Sequence, residues 1–305
     1  MMNASPTQSV SGRIIDGQSL ATTIQDQIAD RVAELRDENH EVVLDAILVD
    51  PGKSEGEIKK SPAHIYARNQ RTTCHRIGIG YRLHELPPQA TYEDIAGRIL
   101  LLSSDDDVSA IMLHLPIPAG IDAFKIQSLI AAEKDVEGVN PANIGNIVYG
   151  RSSLVPCTAL AALKMIESTS IDLRGSTVAC VGASDIVGKP LAVLLMQREA
   201  TVLSCNKFTK NLTDLTKHAD VLIAAAGQPG LITPEHVRPG AVVIDVGVNR
   251  ITDPATGKRK TVGDVDFEAV RPIASHISPV PGGVGPMTVS MLLRNVVEAA
   301  ERRFR

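Results

Sequence analysis

Two glycines bracket the stretch Gly182-Ala183-Ser184-Asp185-Ile186-Val187-Gly188, which follows one apolar run and precedes another. Glycines at a strand-to-helix turn let backbone N–H groups approach a pyrophosphate at the positive end of the helix. Ser184 adds a hydroxyl donor. The spacing is not the strict GxGxxG fingerprint, so the flanking apolar runs carry the reading. The next apolar run ends in Ser204-Cys205-Asn206-Lys207-Phe208-Thr209-Lys210, which contains no acid. An acid there would bind the ribose 2′-hydroxyl of NAD, and a cation suits the 2′-phosphate of NADP. Lys207 and Lys210 therefore favour NADP, though modestly, because an ammonium is a point charge and not a bidentate fork. A second candidate surface is Pro279-Val280-Pro281-Gly282-Gly283-Val284-Gly285-Pro286-Met287-Thr288, with three glycines and three prolines in ten residues. Such a run is neither helix nor regular strand. The apolar residues between its turn formers mark a rigid binding loop and not a linker.

This run resembles the signature of the methylenetetrahydrofolate dehydrogenase/cyclohydrolase family. So do residues 182–190, Lys134-Asp135-Val136-Glu137-Gly138, Pro156-Cys157-Thr158 and Gly263-Asp264-Val265, in the same order, over residues 13–305. The resemblance implies an α/β protein of two domains, an N-terminal substrate domain and a C-terminal Rossmann-like NAD(P)-binding domain, with a cleft between them. It also implies a homodimer and, for most members, NADP. Gly182, Ala183, Ser184, Ile186, Val187, Lys207, Gly227, Val246, Gly247 and Val248 fall at cofactor positions. Tyr66, His114, Leu115, Pro116, Glu137, Pro281, Gly282, Gly283, Pro286 and Thr288 fall at folate positions.

The resemblance also marks departures at the catalytic positions. Tyr66 matches the family tyrosine, but the lysine expected four residues later is Gln70. On a helix these two positions share a face. The family glutamine before Leu-Pro is His114, the aspartate of the Lys-Asp-Val-Asp-Gly run is Glu137, and the serine before the tyrosine is Ala63. The family's dehydrogenase step is a hydride transfer that the cofactor carries, so the protein mainly positions two rings. The cyclohydrolase step adds water to a methenyl cation and needs proton transfers. Gln70 has no titratable proton near neutral pH, so its presence removes hydrolysis more readily than hydride transfer. His114, with an ordinary pKa of about 6.5, is either a replacement base or a group that hydrogen-bonds the ligand. Glu137 keeps a carboxylate for the pterin N–H groups but sets it back by one methylene.

The elements that hold these residues read as two strand–helix alternations. In the first, residues 18–35, 63–77, 92–102 and 122–132 have helical character, with Gly78 ending the second helix. Residues 42–49, 81–86 and 110–115 read as strands, and the polar stretch 51–61 as a loop longer than the family's. In the second alternation, a helix at 159–168 precedes strands at 177–181, 201–203, 221–225 and 242–246, with a helix from Gly188. Alternation of this kind predicts parallel sheets covered by helices. The polar stretch 145–153 marks the boundary. The expected domains are therefore 13–152 with 287–305 for folate and catalysis, and 153–286 for the dinucleotide; residues 1–12 read as a disordered tail. The resemblance is what returns the last helix, 287–302, to the first domain.

A net charge of −4 gives no footprint for nucleic acid or an anionic membrane, and no apolar run approaches a membrane span. The polar start has no apolar core of a secretory signal. Four scattered cysteines form no metal-type pair, so no metal is expected, and buried reduced thiols in a cytoplasmic protein are. Three readings follow: an NADP-dependent 5,10-methylenetetrahydrofolate dehydrogenase of one-carbon metabolism with weak or absent cyclohydrolase activity; a full bifunctional enzyme using His114; and a non-catalytic or altered-substrate folate- and nucleotide-binding protein.

Overall fold

The computed structural model describes residues 12–49, 62–151, 154–252 and 257–304. The chain divides into two compact units, one made of residues 21–157 and 289–305, the other of residues 1–20 and 158–288. In chain order the first elements are β1 (Arg13–Ile14), α1 (Gly17–Asp37), β2 (Val43–Val49), α2 (Pro62–Arg76), β3 (Gly80–Leu86), α3 (Tyr92–Ser104), β4 (Ala110–Leu113), α4 (Ala123–Gln127) and α5 (Pro141–Val148). The unit that contains β2 to α5 has a three-stranded parallel sheet in the order β3-β2-β4. The central strand is buried almost throughout, as a parallel strand covered on both faces requires.

On one face, Ile95, Ile99 and Leu102 of α3 pack against Ile47, Ile111 and Leu113. The period of two along a strand then turns Met112 and the following His114 to the opposite face. His114 N donates to Ile47 O at 2.8 Å, which extends the ladder beyond β4. Thr91 and Asp94 close a capping box at the start of α3. Past Gly78, whose φ is +81°, the chain leaves α2 and enters β3.

Two expectations for this unit change. The helix expected over 122–132 stops at Gln127. Asn140 Nδ2 takes the carbonyls of Ser128 and Ile130, and Asn143 Nδ2 takes that of Ala132, so these carbonyls are committed to side chains. The stretch read as a boundary begins inside α5, which has Asn140 as its cap and Pro141 in its first turn. The change of unit falls later, between Cys157 and Thr158.

The remaining elements are α6 (Cys157–Glu167), β5 (Thr177–Val181), α7 (Gly188–Met196), β6 (Thr201–Cys205), α8 (Leu212–Thr216), β7 (Val221–Ala224), β8 (Val242–Asp245), β9 (Asn249–Thr252), β10 (Arg259–Val262), α9 (Phe267–Val270), β11 (His276–Ile277) and α10 (Val284–Phe304). Six strands form a parallel sheet in the order β1-β11-β8-β7-β5-β6, and β9 and β10 form an antiparallel hairpin. The sequence reading missed the hairpin and the short strands β1 and β11. Two-residue strands carry too little periodicity to see. β1 places residues 13 and 14 in this sheet and not in the unit of the three-stranded sheet, a correction to the expected domain limits. Gly12, counted with the tail, donates its N–H to Arg271 O at 2.8 Å. Residues 1–11, and the loop read at 51–61, lie outside the described residues.

Candidate active site

In the six-stranded sheet β5 has β6 on one side and β7 on the other, so the winding reverses at β5/β7. Ligands of open parallel sheets bind at the carboxyl ends of strands at such a reversal. A cavity of about 700 Å³ opens there. Its walls are Val181 to Ser184 after β5, Asn206 to Thr209 after β6, Ala225, Ala226 and Gln228 after β7, with Lys189, Leu212 and Leu231. Gly182 has φ +119°, and a β-carbon on it would strike the Ala225 carbonyl. One on Gly188 would strike the Gly182 carbonyl. This mutual closeness explains the glycine at each end of the turn.

Of the residues read for the cofactor, Gly182, Ala183, Ser184 and Lys207 line this cavity. Val187 precedes the first turn of α7 and Ile186 is exposed beside it. Lys207 sets its ammonium 5.0 Å from the centroid of Phe208, which is 79% exposed. Lys210 is exposed outside the cavity wall. Lys189, which the sequence reading left aside, lines the wall and pairs with Asp185. Gly227 follows β7, while Val246, Gly247 and Val248 follow β8.

Two buried aspartates, missed as functional residues, shape these loops. Asp264 Oδ2 accepts from Ala226 N at 2.6 Å and Gly227 N at 2.9 Å, and its Oδ1 accepts from Asn249 Nδ2 at 2.8 Å. Asp245 accepts from Gly247 N, Asp264 N and Val265 N at 2.9–3.0 Å. Burial pushes the Asp245 carboxyl up to about 6, with the three amides opposing. The available signal was Gly263-Asp264-Val265, a motif whose aspartate has a role only once the loops are assembled.

The other unit gathers the altered positions. Tyr66 and Gln70 lie on α2 one turn apart, Tyr66 48% exposed and Gln70 4%. Gln70 Nε2 donates to Met112 Sδ at 3.1 Å, and Gln70 Oε1 lies 3.4 Å from the Tyr81 hydroxyl. The same hydroxyl is 2.9 Å from His114 Nε2. The Tyr66 and His114 rings meet edge to face at 5.9 Å. Burial lowers the His114 pKa to about 4, so the ring is neutral at physiological pH. Leu115 is exposed after it, and the Leu115–Pro116 bond is cis.

Glu137 reaches this group because Asp135 bridges to Ile111 in parallel, alongside β4. Burial and then the neighbouring Asp135 carboxylate push the Glu137 carboxyl up to about 7, against hydrogen bonds from Gln127 and the Leu113 backbone. Burial, followed by the Glu137 charge, raises the Tyr66 hydroxyl pKa. Asn295 of α10 holds the segment in place by donating to Val136 O and Val155 O at 2.9 Å each. The site thus offers a half-exposed aromatic wall, a neutral imidazole, a neutral amide and one carboxyl near neutrality. Among the described residues it contains no amine. Pro281, Gly282, Gly283, Pro286 and Thr288 lie in the other unit, at the turn into α10 and in its first turns. A β-carbon on Gly283 would press on Pro279 O.

A glycine turn at the reversal point of a parallel sheet, joined to a second α/β unit with a polar cluster at the end of a strand, defines a two-domain, dinucleotide-dependent enzyme. Residues 15–137 match the model of the tetrahydrofolate dehydrogenase/cyclohydrolase catalytic domain, and residues 156–304 that of the NAD(P)-binding domain of the same enzymes. The bifunctional protein FolD of Geobacillus thermodenitrificans is 42% identical over 96% of this chain and 99% of its own length. The crystal structure of the bifunctional FolD dehydrogenase/cyclohydrolase from Campylobacter jejuni superposes with a TM-score of 0.86 at 37% identity, covering 95% of this chain and 99% of that one. The FolD of Trypanosoma brucei, solved with NADP and an inhibitor, gives 0.86 at 34% identity over 96% and 99%. The chain belongs to the tetrahydrofolate dehydrogenase/cyclohydrolase family.

Proposed function

We propose that this protein is an NADP-dependent 5,10-methylenetetrahydrofolate dehydrogenase of one-carbon metabolism whose cyclohydrolase step is weak or absent. The observation that carries the reading is the environment of Gln70. A buried amide, held by Met112 and Tyr81, stands where the family resemblance calls for a lysine. His114 does not replace that lysine well. A base whose conjugate acid titrates at about 4 is a poor proton acceptor at neutral pH, and its Nε2 is already engaged.

NADP fits the residues at the switch point: the Gly182–Gly188 turn admits a pyrophosphate, and Lys207 at the cavity wall suits a 2′-phosphate. Bound there, it would supply the hydride acceptor for the methylene carbon of the folate. The chain's own part is to hold the two partners. Tyr66 offers a ring face to the folate, Glu137 as carboxylate accepts from the pterin N–H groups, and the 281–288 run adds rigid backbone. No group among these must transfer a proton for hydride transfer to occur.

One observation favours a second reading, residual hydrolysis: the Glu137 carboxyl titrates at about 7, in the range useful for moving a proton. A paired assay decides. NADPH formation from 5,10-methylenetetrahydrofolate should proceed in the wild type, while 5,10-methenyltetrahydrofolate should hydrolyse near its spontaneous rate. Gln70→Lys should raise hydrolysis about 100-fold, the low end of the usual range of a proton carrier. Fast wild-type hydrolysis, abolished by Glu137→Gln, would move the assignment to the bifunctional reading. Absence of both activities would leave the binding or altered-substrate reading. The resemblance further supports a homodimer, to be checked by sedimentation. The four buried free thiols suit a reducing cytoplasm. Among the described residues no helix is long and apolar enough to cross a membrane.

A further inference from the structure

Tyr81 belongs to no motif, yet its hydroxyl meets two of the altered positions, His114 at 2.9 Å and Gln70 at 3.4 Å. The hydroxyl has one proton to give, and burial raises its pKa so that the proton stays on at physiological pH. An O–H···N contact of 2.9 Å is a sound hydrogen bond, whereas O–H···O at 3.4 Å lies beyond the usual range of about 2.5–3.0 Å. The proton therefore points to His114 Nε2. A neutral imidazole that accepts at Nε2 carries its own hydrogen on Nδ1. Two contacts hold the geometry. Arg71 places its guanidinium 5.5 Å from the Tyr81 ring centroid, and Met112 Sδ takes the Gln70 amide N–H, leaving Oε1 on the Tyr81 side. Among the described residues Tyr81 is the only hydrogen-bond partner of the His114 ring.

We propose that Tyr81 is a positioning residue that locks His114 as the Nδ1–H tautomer, making the histidine a hydrogen-bond donor to an acceptor atom of the folate, a carbonyl oxygen or an unprotonated ring nitrogen, and not a proton acceptor. The inference rests on the folate reading for its ligand but not for its tautomer. It separates the two roles that the sequence left equal for a histidine at this position, because a ring that offers N–H at one nitrogen and is capped at the other has no free lone pair for a base. It also names a function for a tyrosine on β3 whose burial would class it as core.

Two measurements test it. In the ligand-free protein, long-range ¹⁵N–¹H correlation of the histidines, with His114→Gln to assign the signal, should show a protonated Nδ1 and a bare Nε2 on His114. Tyr81→Phe should replace this pattern by mixed tautomers. An Nε2–H tautomer in the wild type overturns the proposal. Binding of 5-formyltetrahydrofolate, measured by calorimetry, should weaken about five- to tenfold in Tyr81→Phe, the worth of one oriented hydrogen bond. In a His114→Gln background the same substitution should cost nothing further. Equal losses in both backgrounds make Tyr81 a packing residue and overturn its role. If the wild type binds no folate, the folate reading and the donor role fail together, while the tautomer spectrum still decides the Tyr81–His114 pairing.

Discussion

At the scale of single residues the site is governed by burial more than by residue type. His114 and Glu137 have ordinary pKa values about two units apart, and the fold reverses their order, His114 falling to about 4 and Glu137 rising to about 7. The consequence can be measured. If Glu137 accepts from the pterin as a carboxylate, KM for the folate should fall as pH rises through 7, and Glu137→Gln should flatten that step. The effect on stability has a definite sign. Between the ordinary carboxyl value and about 7 the folded state holds a proton that the unfolded state has lost, so stability declines as pH rises across this window. Glu137→Gln should therefore raise Tm at pH 8 and change it little at pH 5; each relieved 1 kcal/mol corresponds to about 2–4 °C for a protein of this size. A Tm gain that is equal at both pH values would mean that the variant acts by packing and not by charge.

At the scale of elements, the strands are scaffolds whose ends do the work. β5, β6 and β7 each end at the wall of the 700 Å³ cavity, and the loop that follows β7 is held by Asp264. Lys207 is placed by the end of β6 and by the Phe208 ring beneath it. Lys207→Ala should raise KM for NADP about tenfold and leave KM for NAD unchanged, since only the 2′-phosphate is lost as a partner. The check is direct titration with 2′,5′-ADP and 5′-AMP. Loss of both ligands alike would show that Lys207 serves the shared part of the nucleotide. In the other unit the end of β4 acts in the same way, presenting His114 while Ile111 and Leu113 keep the opposite face in the core.

At the scale of the whole molecule, distant parts of the sequence meet to form each site. Asn295, near the end of the chain, fixes the carbonyls of Val136 and Val155 on either side of the Glu137 segment. Arg31 of α1 and Glu301 of α10 form a two-pronged pair at 2.7 and 2.9 Å in the same unit. Replacing Asn295 by Leu keeps the volume but removes the amide donor from both buried carbonyls, leaving Val136 O only the weak Cys157 Sγ–H donor at 3.3 Å. The expected cost is about 2–4 kcal/mol in urea unfolding, with a rise in folate KM because Glu137 loses its support. A loss under about 0.5 kcal/mol would mean that those carbonyls find other partners.

The sequence alone determined what is local or periodic. The strand–helix alternation, the Gly182 turn, the end of α2 at Gly78 and the start of α3 at Tyr92 follow from residue type and spacing, and the family resemblance marks Gln70 as standing at a lysine position. The length of α4, the presence of α5 and the place of Arg13–Ile14 in the six-stranded sheet did not, because side-chain capture of carbonyls and pairing over some 260 residues leave no periodic trace. The protonation of His114 was beyond reach for the same reason. It depends on the exclusion of water, and the ring's hydrogen-bond partner stands 33 positions away, so both exist only after the chain has packed.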